Sequence, residues 1–208
     1  LENRVWRLAD GNRFPIINGQ QISAGFIYSK KGVSIDVDTY YKKVKNITAL
    51  SLGFLNPENN NFNIGHQNVI GIDAFFQKQF NGFNSWVSYS INNATSSFEN
   101  LNNGNDFTSK SNVTHCVSTA INYKLDGFQF ALGWKWQTGK PYTISEESSN
   151  GLEFNDGINT GELPIYHRLD FSSTYDFTIA KGNKLRGKVG LSIRNIYNRK
   201  NLISREYR

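Results

Sequence analysis

Methionine is missing from all 208 residues, position 1 included. A chain with no initiator and no charged-then-apolar leader is expected to be a piece of a longer product. Cysteine occurs once, as Cys116, which rules out an internal disulfide framework and leaves the redox compartment unread. The alternation around Cys116 places it on the polar side of a strand, where it serves as a small filler. No apolar run approaches the roughly eighteen residues of a transmembrane helix. Membrane insertion, if it occurs, must therefore use a β-barrel.

Catalytic signatures are missing as well. Neither G-x-S-x-G nor H-E-x-x-H occurs, and no nucleophile can be matched to a base and an orienting group, so the chain is not read as an enzyme. His66, His115 and His167 lack zinc-site spacing. His66 is expected in a long loop and the other two near the loop ends of strands, with no metal or cofactor. The net charge of +6 raises the question of nucleic acid, but the basic residues are dispersed and Lys30, Lys31, Lys181 and Lys184 fall at turns. Nucleic acid is not an expected partner.

What is present is a combination of large rings and polar residues. Aromatics reach 14% while mean hydropathy is −0.51, as expected when aromatic and polar residues alternate along strands. The clearest example follows Asp126-Gly127: Phe128, Phe130, Leu132, Trp134 and Trp136 alternate with Gln129, Ala131, Gly133, Lys135 and Gln137. That period of two is a strand. Its length suits a tilted strand crossing a bilayer.

The same pattern recurs along the chain. Arg4 to Ala9 reads as the end of a strand, and Gln20 to Ser29 as the next. Val33, Ile35, Val37, Thr39 and Tyr41 alternate with Ser34, Asp36, Asp38, Tyr40 and Lys42. Unpaired carboxylates in a dry core are costly, so the Asp36 and Asp38 face is wet or its charges are paired. An Asn-rich loop is expected from Lys45 to Asn68. Strands follow over Val69 to Phe80, from Phe83 to Ile91, over Val113 to Tyr123, from His167 to Phe177 and from Leu185 to Ile193, with another beginning at Leu202. Lys-Gly, Asn-Gly and Asp-Gly mark tight turns. Long polar connections are expected over 93–112 and 138–166.

Tight turns and long connections alternate strictly, which puts every long connection on one rim. That is the layout of an antiparallel up-and-down transmembrane β-barrel segment with short periplasmic turns and long extracellular loops. The expected fold class is all-β, with about nine or ten strands of an incomplete barrel forming one domain over residues 1–208.

Five stretches also resemble the barrel of TonB-dependent outer-membrane receptors, especially the Bacteroidetes type. They are VDTYYKKVKNI (Val37 to Ile47), NVIGIDAFFQKQFNGFNSWVSYS (Asn68 to Ser90), WQTGKPYT (Trp136 to Thr143), ELPIYHRLDFSSTYDF (Glu162 to Phe177) and SIRNIYNRKN (Ser192 to Asn201). The resemblance implies the C-terminal part of a barrel of about twenty-two strands, closed by a plug and importing a nutrient with TonB-transduced energy. Plug, signal peptide, TonB-interacting motif and terminal strand are expected to be absent from these residues. Asp73 stands where such receptors more commonly carry Glu. The implied location is the bacterial outer membrane. Implied partners are its lipid, a small nutrient ligand (glycan, peptide or metal chelate), a surface lipoprotein, and the TonB complex through the rest of the parent chain.

Candidate ligand contacts are Trp136, Lys140 and Tyr142 at the extracellular rim, with Asp36, Asp38, Asp73 and Arg168 lining the lumen. Each has a plainer role. Lumenal acids hydrate the channel and pair with Arg168, Arg186 or Arg194, and outward rings such as Trp134 and Trp136 form an interfacial girdle. Two other readings of the chain stay open: a self-contained small outer-membrane barrel acting as anchor or adhesin, and a soluble lipocalin-like or sandwich protein with its aromatic face turned inward.

Overall fold

A computed structural model describes residue 11 and residues 15–50, 62–99, 101–144, 146–148, 151–153, 157–179 and 185–205. Arg4 to Ala9, expected as a strand end, lies outside the described residues. Among the described residues there are thirteen strands: β1 (Asn18–Lys30), β2 (Val33–Leu50), β3 (Phe62–Phe80), β4 (Phe83–Phe98), β5 (Phe107–Thr108), β6 (His115–Leu125), β7 (Phe128–Gln137), β8 (Pro141–Tyr142), β9 (Glu146–Ser148), β10 (Gly151–Glu153), β11 (Gly161–Glu162), β12 (Tyr166–Thr178) and β13 (Arg186–Ile193). One 3-10 turn covers Asn102–Gly104.

Nine strands form one sheet in the order β1-β2-β3-β4-β6-β7-β12-β13, with β5 paired to β4. Every pairing is antiparallel. This is the expected up-and-down meander. β1 and β13 are its two edges, so the sheet is an open wall.

Register decides what each face carries, because directly opposed residues share a face and a slip of one residue would exchange the faces. One row runs Tyr28, Ile35, Phe76, Val87, Thr119, Trp134 and Leu169 across seven strands. The row beside it runs Phe26, Val37, Ala74, Tyr89, Val117, Trp136 and His167. The other face holds Asp36, Asp38, Asp73, Ser88, Ser118, Lys135, Arg168 and Asp170. Both rows therefore cross seven strands with no acid among them.

The tight turns fix that register. Lys31 and Gly32 have φ of 49° and 72°, Asn81 and Gly82 of 43° and 81°, and Asp126 and Gly127 of 43° and 88°. Two consecutive positive φ values make the type I′ turn, whose twist matches the flanking strands. Each turn is also tied to the next hairpin: Gln79 N–H donates to Gly32 O at 2.7 Å, Lys124 N–H to Gly82 O at 3.1 Å and Asp176 N–H to Gly127 O at 2.9 Å.

The other rim differs from expectation. The Lys45 to Asn68 segment is not one long loop, because β2 runs on to Leu50 and β3 starts at Phe62. His66 consequently sits in β3, opposite Lys45 and Ser97. A bulge at Asn46, in left-handed conformation with φ 63°, accommodates the change of register between Lys45 and Ile47. Asn46 Nδ2 donates to Ile16 O at 3.0 Å. β4 likewise continues past Ile91 to Phe98. Backbone pairing proceeds without an apolar stripe here because both neighbours are strands already in register.

Most of the buried residues among those described gather at this rim. Ala94, Phe98 and Leu163 are the buried apolar ones, joined by Asn63, Ser96, Ser97, Ser109 and Asn112. Asn112 Oδ1 accepts from Ala94 N–H at 2.9 Å, and Gln67 Nε2 donates to Ser109 Oγ at 2.8 Å. Phe98 stacks on Phe107 at 6.1 Å. Asn112 and Ser109 thus meet their partners through side chains, whereas the buried Asn63 Nδ2 has none among the described residues.

The strand expected at Leu202 does not form, and 198–205 carries no strand. Asn195 and Asn198 adopt positive φ of 56° and 50° and turn the chain back. Ile196 N–H donates to Leu169 O at 2.8 Å and Asn195 N–H to Asp170 Oδ1 at 2.8 Å. Asn201 then brackets the backbone of His167, accepting from its N–H at 3.2 Å and donating to its carbonyl at 3.1 Å.

Candidate functional site

The polar face separates its charges. Asp38 stands directly opposite Asp73, and Asp36 opposite Phe75, all on β2 and β3. Lys135 stands opposite Arg168 on β7 and β12. Strands β4, β6 and β7 lie between β3 and β12, so Arg168 is not a cross-strand partner of the acids as the sequence suggested. Arg168 instead grips Asp170 two residues on, Nε at 3.0 Å and Nη2 at 2.8 Å from Oδ2. Arg186 and Arg194 belong to the far edge, in β13 and just after it. The ion pair on that edge is Lys188 with Asp176 at 3.2 Å. One aromatic pair, Phe75 with Trp86 at 6.1 Å, also occupies the polar face.

Lys140 belongs to a cavity of about 320 Å³ at the rim of the long connections. Lys135 and Gln137 enter it from the polar face of β7, Tyr166 from β12, and Leu163, Leu202 and Ile203 supply apolar wall. The sequence determines this geometry locally. Gly139 is buried against Leu163, whose carbonyl occupies the place a Cβ would take, and Leu163 N–H donates to Lys140 O at 3.0 Å. Two ammonium groups facing mixed polar and apolar walls can hold an anionic or carbonyl-rich group beside a hydrophobic body.

Tyr142 sits in β8 with its ring over Gly161 of β11. Arg205 reaches its hydroxyl at 3.2 Å and lies 5.2 Å from its ring centroid. Asn159 joins the same connection to the previous one: its N–H donates to Thr143 Oγ1 at 3.1 Å and its Nδ2 to Thr108 O at 2.8 Å. Trp136, by contrast, is on the apolar face between Val117 and His167. It is separated from the polar-face set of Asp36, Asp38, Asp73 and Arg168, and these candidates do not converge on one site.

Aromatic residues of the apolar face gather toward the two ends of the sheet. At the tight-turn end Phe83 stacks on Tyr123 at 4.2 Å, and Phe128 meets Tyr175 at 4.4 Å and Phe130 at 5.8 Å. At the long-connection end are Tyr41, Tyr89, Trp136 and Tyr197. Tyr89 OH and His115 Nδ1 are 2.8 Å apart, and His167 packs edge-on to Tyr197 at 5.5 Å. Both histidines hold the rim positions expected of them.

Sequence reading missed Lys135, Tyr166, Leu202 and Ile203 as neighbours of Lys140. The signal for Lys135 was its phase, since it alternates with Trp134 and Trp136. Leu202 and Ile203 had no such signal, because they arrive by chain reversal at two left-handed asparagines.

Two of three comparisons with known proteins give a match. A sequence comparison with curated proteins gives no match. Among solved structures the fold is similar to the FrpB iron transporter from Neisseria meningitidis (F3-3 variant), with a TM-score of 0.63 at 14% identity. The match covers 88% of this chain and 27% of that one, so the chain spans about a quarter of that transporter's length. The family model described as "TonB dependent receptor-like, beta-barrel" matches residues 14–196. This chain belongs to that family of TonB-dependent receptor-like β-barrels.

Proposed function

We propose that these strands form part of the barrel wall of an outer-membrane transporter that imports a nutrient with TonB-transduced energy. The observation that carries this reading is the apolar face, which keeps phase across all eight strands of the sheet path and lies open to its surroundings. Ile72 is 46% exposed, Ile121 49% and Leu191 60%. Such a face is unfavourable in water, whereas lipid solvates it, and its end-on aromatic residues suit the two headgroup levels.

On this reading the type I′ turns are periplasmic and the long connections extracellular. The polar face, with Asp36, Asp38, Asp73 and Arg168 on it, lines the lumen. The cavity around Lys140, with Tyr142 nearby, contributes to nutrient capture, and Trp136 anchors the wall in the outer headgroups. The nutrient is a glycan, a peptide or a metal chelate. The TonB complex and a surface lipoprotein act through other parts of the parent protein. Among the described residues no ladder joins β1 to β13, which suits a wall segment rather than a self-closed small barrel.

Fractionation tests this reading. The intact protein should leave the cell envelope only with detergent and migrate faster on a gel before boiling than after. Recovery in aqueous buffer as a folded soluble protein contradicts it.

A further inference from the structure

Above the last apolar row of the outward face, on the side of the long connections, the composition changes abruptly. Ile22, Tyr41 and Ile70 form that row. The next row is Gln20, Lys43 and Asn68, and the one after it Asn18, Lys45 and His66. All six residues share the face of the apolar wall because the register is unbroken up to Lys45. Neither Lys43 nor Lys45 forms an ion pair among the described residues, and no acid occupies these rows. Tyr41 OH donates to Asn68 Oδ1 at 3.2 Å, which fixes the boundary. β2 and β3 continue past the patch as a paired ladder, so its backbone is rigid.

Two unpaired ammonium groups on a rigid sheet, flanked by carboxamide and imidazole donors and bordered below by Ile22, Tyr41 and Ile70, are complementary to one kind of partner. We propose that Lys43, Lys45 and His66 bind the phosphate of an outer-leaflet lipid headgroup whose acyl chains lie on the apolar wall beneath. The assignment rests on the membrane reading above. Charge complementarity and continuity with that wall commit the site to a lipid rather than to a soluble anion, since free phosphate has no use for the row below.

The neighbouring lysine supplies an internal control. Lys42 has the same charge and the same strand but alternates to the polar face. The intact protein, wild type and variants, is reconstituted in nanodiscs containing either phosphatidylglycerol with phosphatidylcholine or phosphatidylcholine alone, and lipid retained after detergent exchange is quantified by mass spectrometry. Each basic residue near an anionic surface is worth about fivefold in affinity, so Lys43→Gln with Lys45→Gln should lower retained phosphatidylglycerol roughly twenty- to thirtyfold. Lys42→Gln should leave it unchanged, and excess inorganic phosphate should not displace it. Equal loss in Lys42→Gln, no loss in the double variant, or displacement by inorganic phosphate would each overturn the proposal. Wild-type protein that needs no detergent overturns the membrane reading first, and the patch with it.

Discussion

The ring of Tyr40 lies over Gly71, its directly opposed partner on the next strand. A Cβ on Gly71 would come within 2.5 Å of the Tyr40 hydroxyl oxygen and 3.0 Å of the Ile91 carbonyl oxygen. The pairing covers a bare stretch of backbone with an aromatic side chain and helps pin the register of the Asp36 and Asp38 hairpin. Phe177 over Gly187 and Tyr142 over Gly161 repeat it at other positions.

Gly71→Ala should therefore force the ring aside and cost about 1–3 kcal/mol as overpacking. Unfolding of the reconstituted protein in denaturant measures it. Tyr40→Ala in the same chain should recover part of the loss, because one of the two obstructions is then gone, while the carbonyl contact stays.

Asp38 and Asp73 face each other across β2 and β3 without an ion-pair partner among the described residues. Like charges directly opposed on a sheet oppose pairing, so Asp73→Asn should stabilise the fold by about 0.2–1 kcal/mol. The gain should shrink in high salt, which screens the repulsion in the wild type. Denaturation midpoints at two ionic strengths check both statements.

Asn159 bridges two long connections through Thr108 and Thr143. Asn159→Ala removes the bond its Nδ2 donates to Thr108 O and the one its Oδ1 accepts from Thr143 Oγ1, costing about 1 kcal/mol for each hydrogen bond lost, while the backbone N–H bond to Thr143 stays. The expected sign is local: faster amide exchange and proteolysis at 105–112 and 140–144, with unchanged protection in β6 and β7. Uniform loss across the sheet would show that the bridge supports the wall rather than the connections.

Strand phase was legible because each strand states it many times. Phe128 to Gln137 alone fixes its two faces, and three dipeptide turns carry that phase to the neighbouring strands. Residues beyond the apolar band were harder. His66 and Phe98 belong to strands whose sequence shows no apolar stripe, since those extensions pair above the wall and bury side chains against 107–112. The reversal at Asn195 and Asn198 was also hidden, because a left-handed asparagine resembles any other asparagine in a polar run. The expected pairing of Asp36 and Asp38 with distant arginines failed for a different reason: sequence gives the face of a residue but not the number of strands between two residues.

On the proposed reading the face holding Val87 meets lipid and the face holding Ser88 meets water. The most direct measurement is folding into bilayers by the intact protein carrying Val87→Arg or Ser88→Arg, neighbours in β4 that point to opposite faces. Near mid-bilayer a lipid-facing Arg costs about 2–4 kcal/mol, whereas a lumenal one is tolerated. Val87→Arg is expected to lower folding stability by that amount and Ser88→Arg to leave it nearly unchanged. Equal effects, or a greater loss from Ser88→Arg, would contradict it.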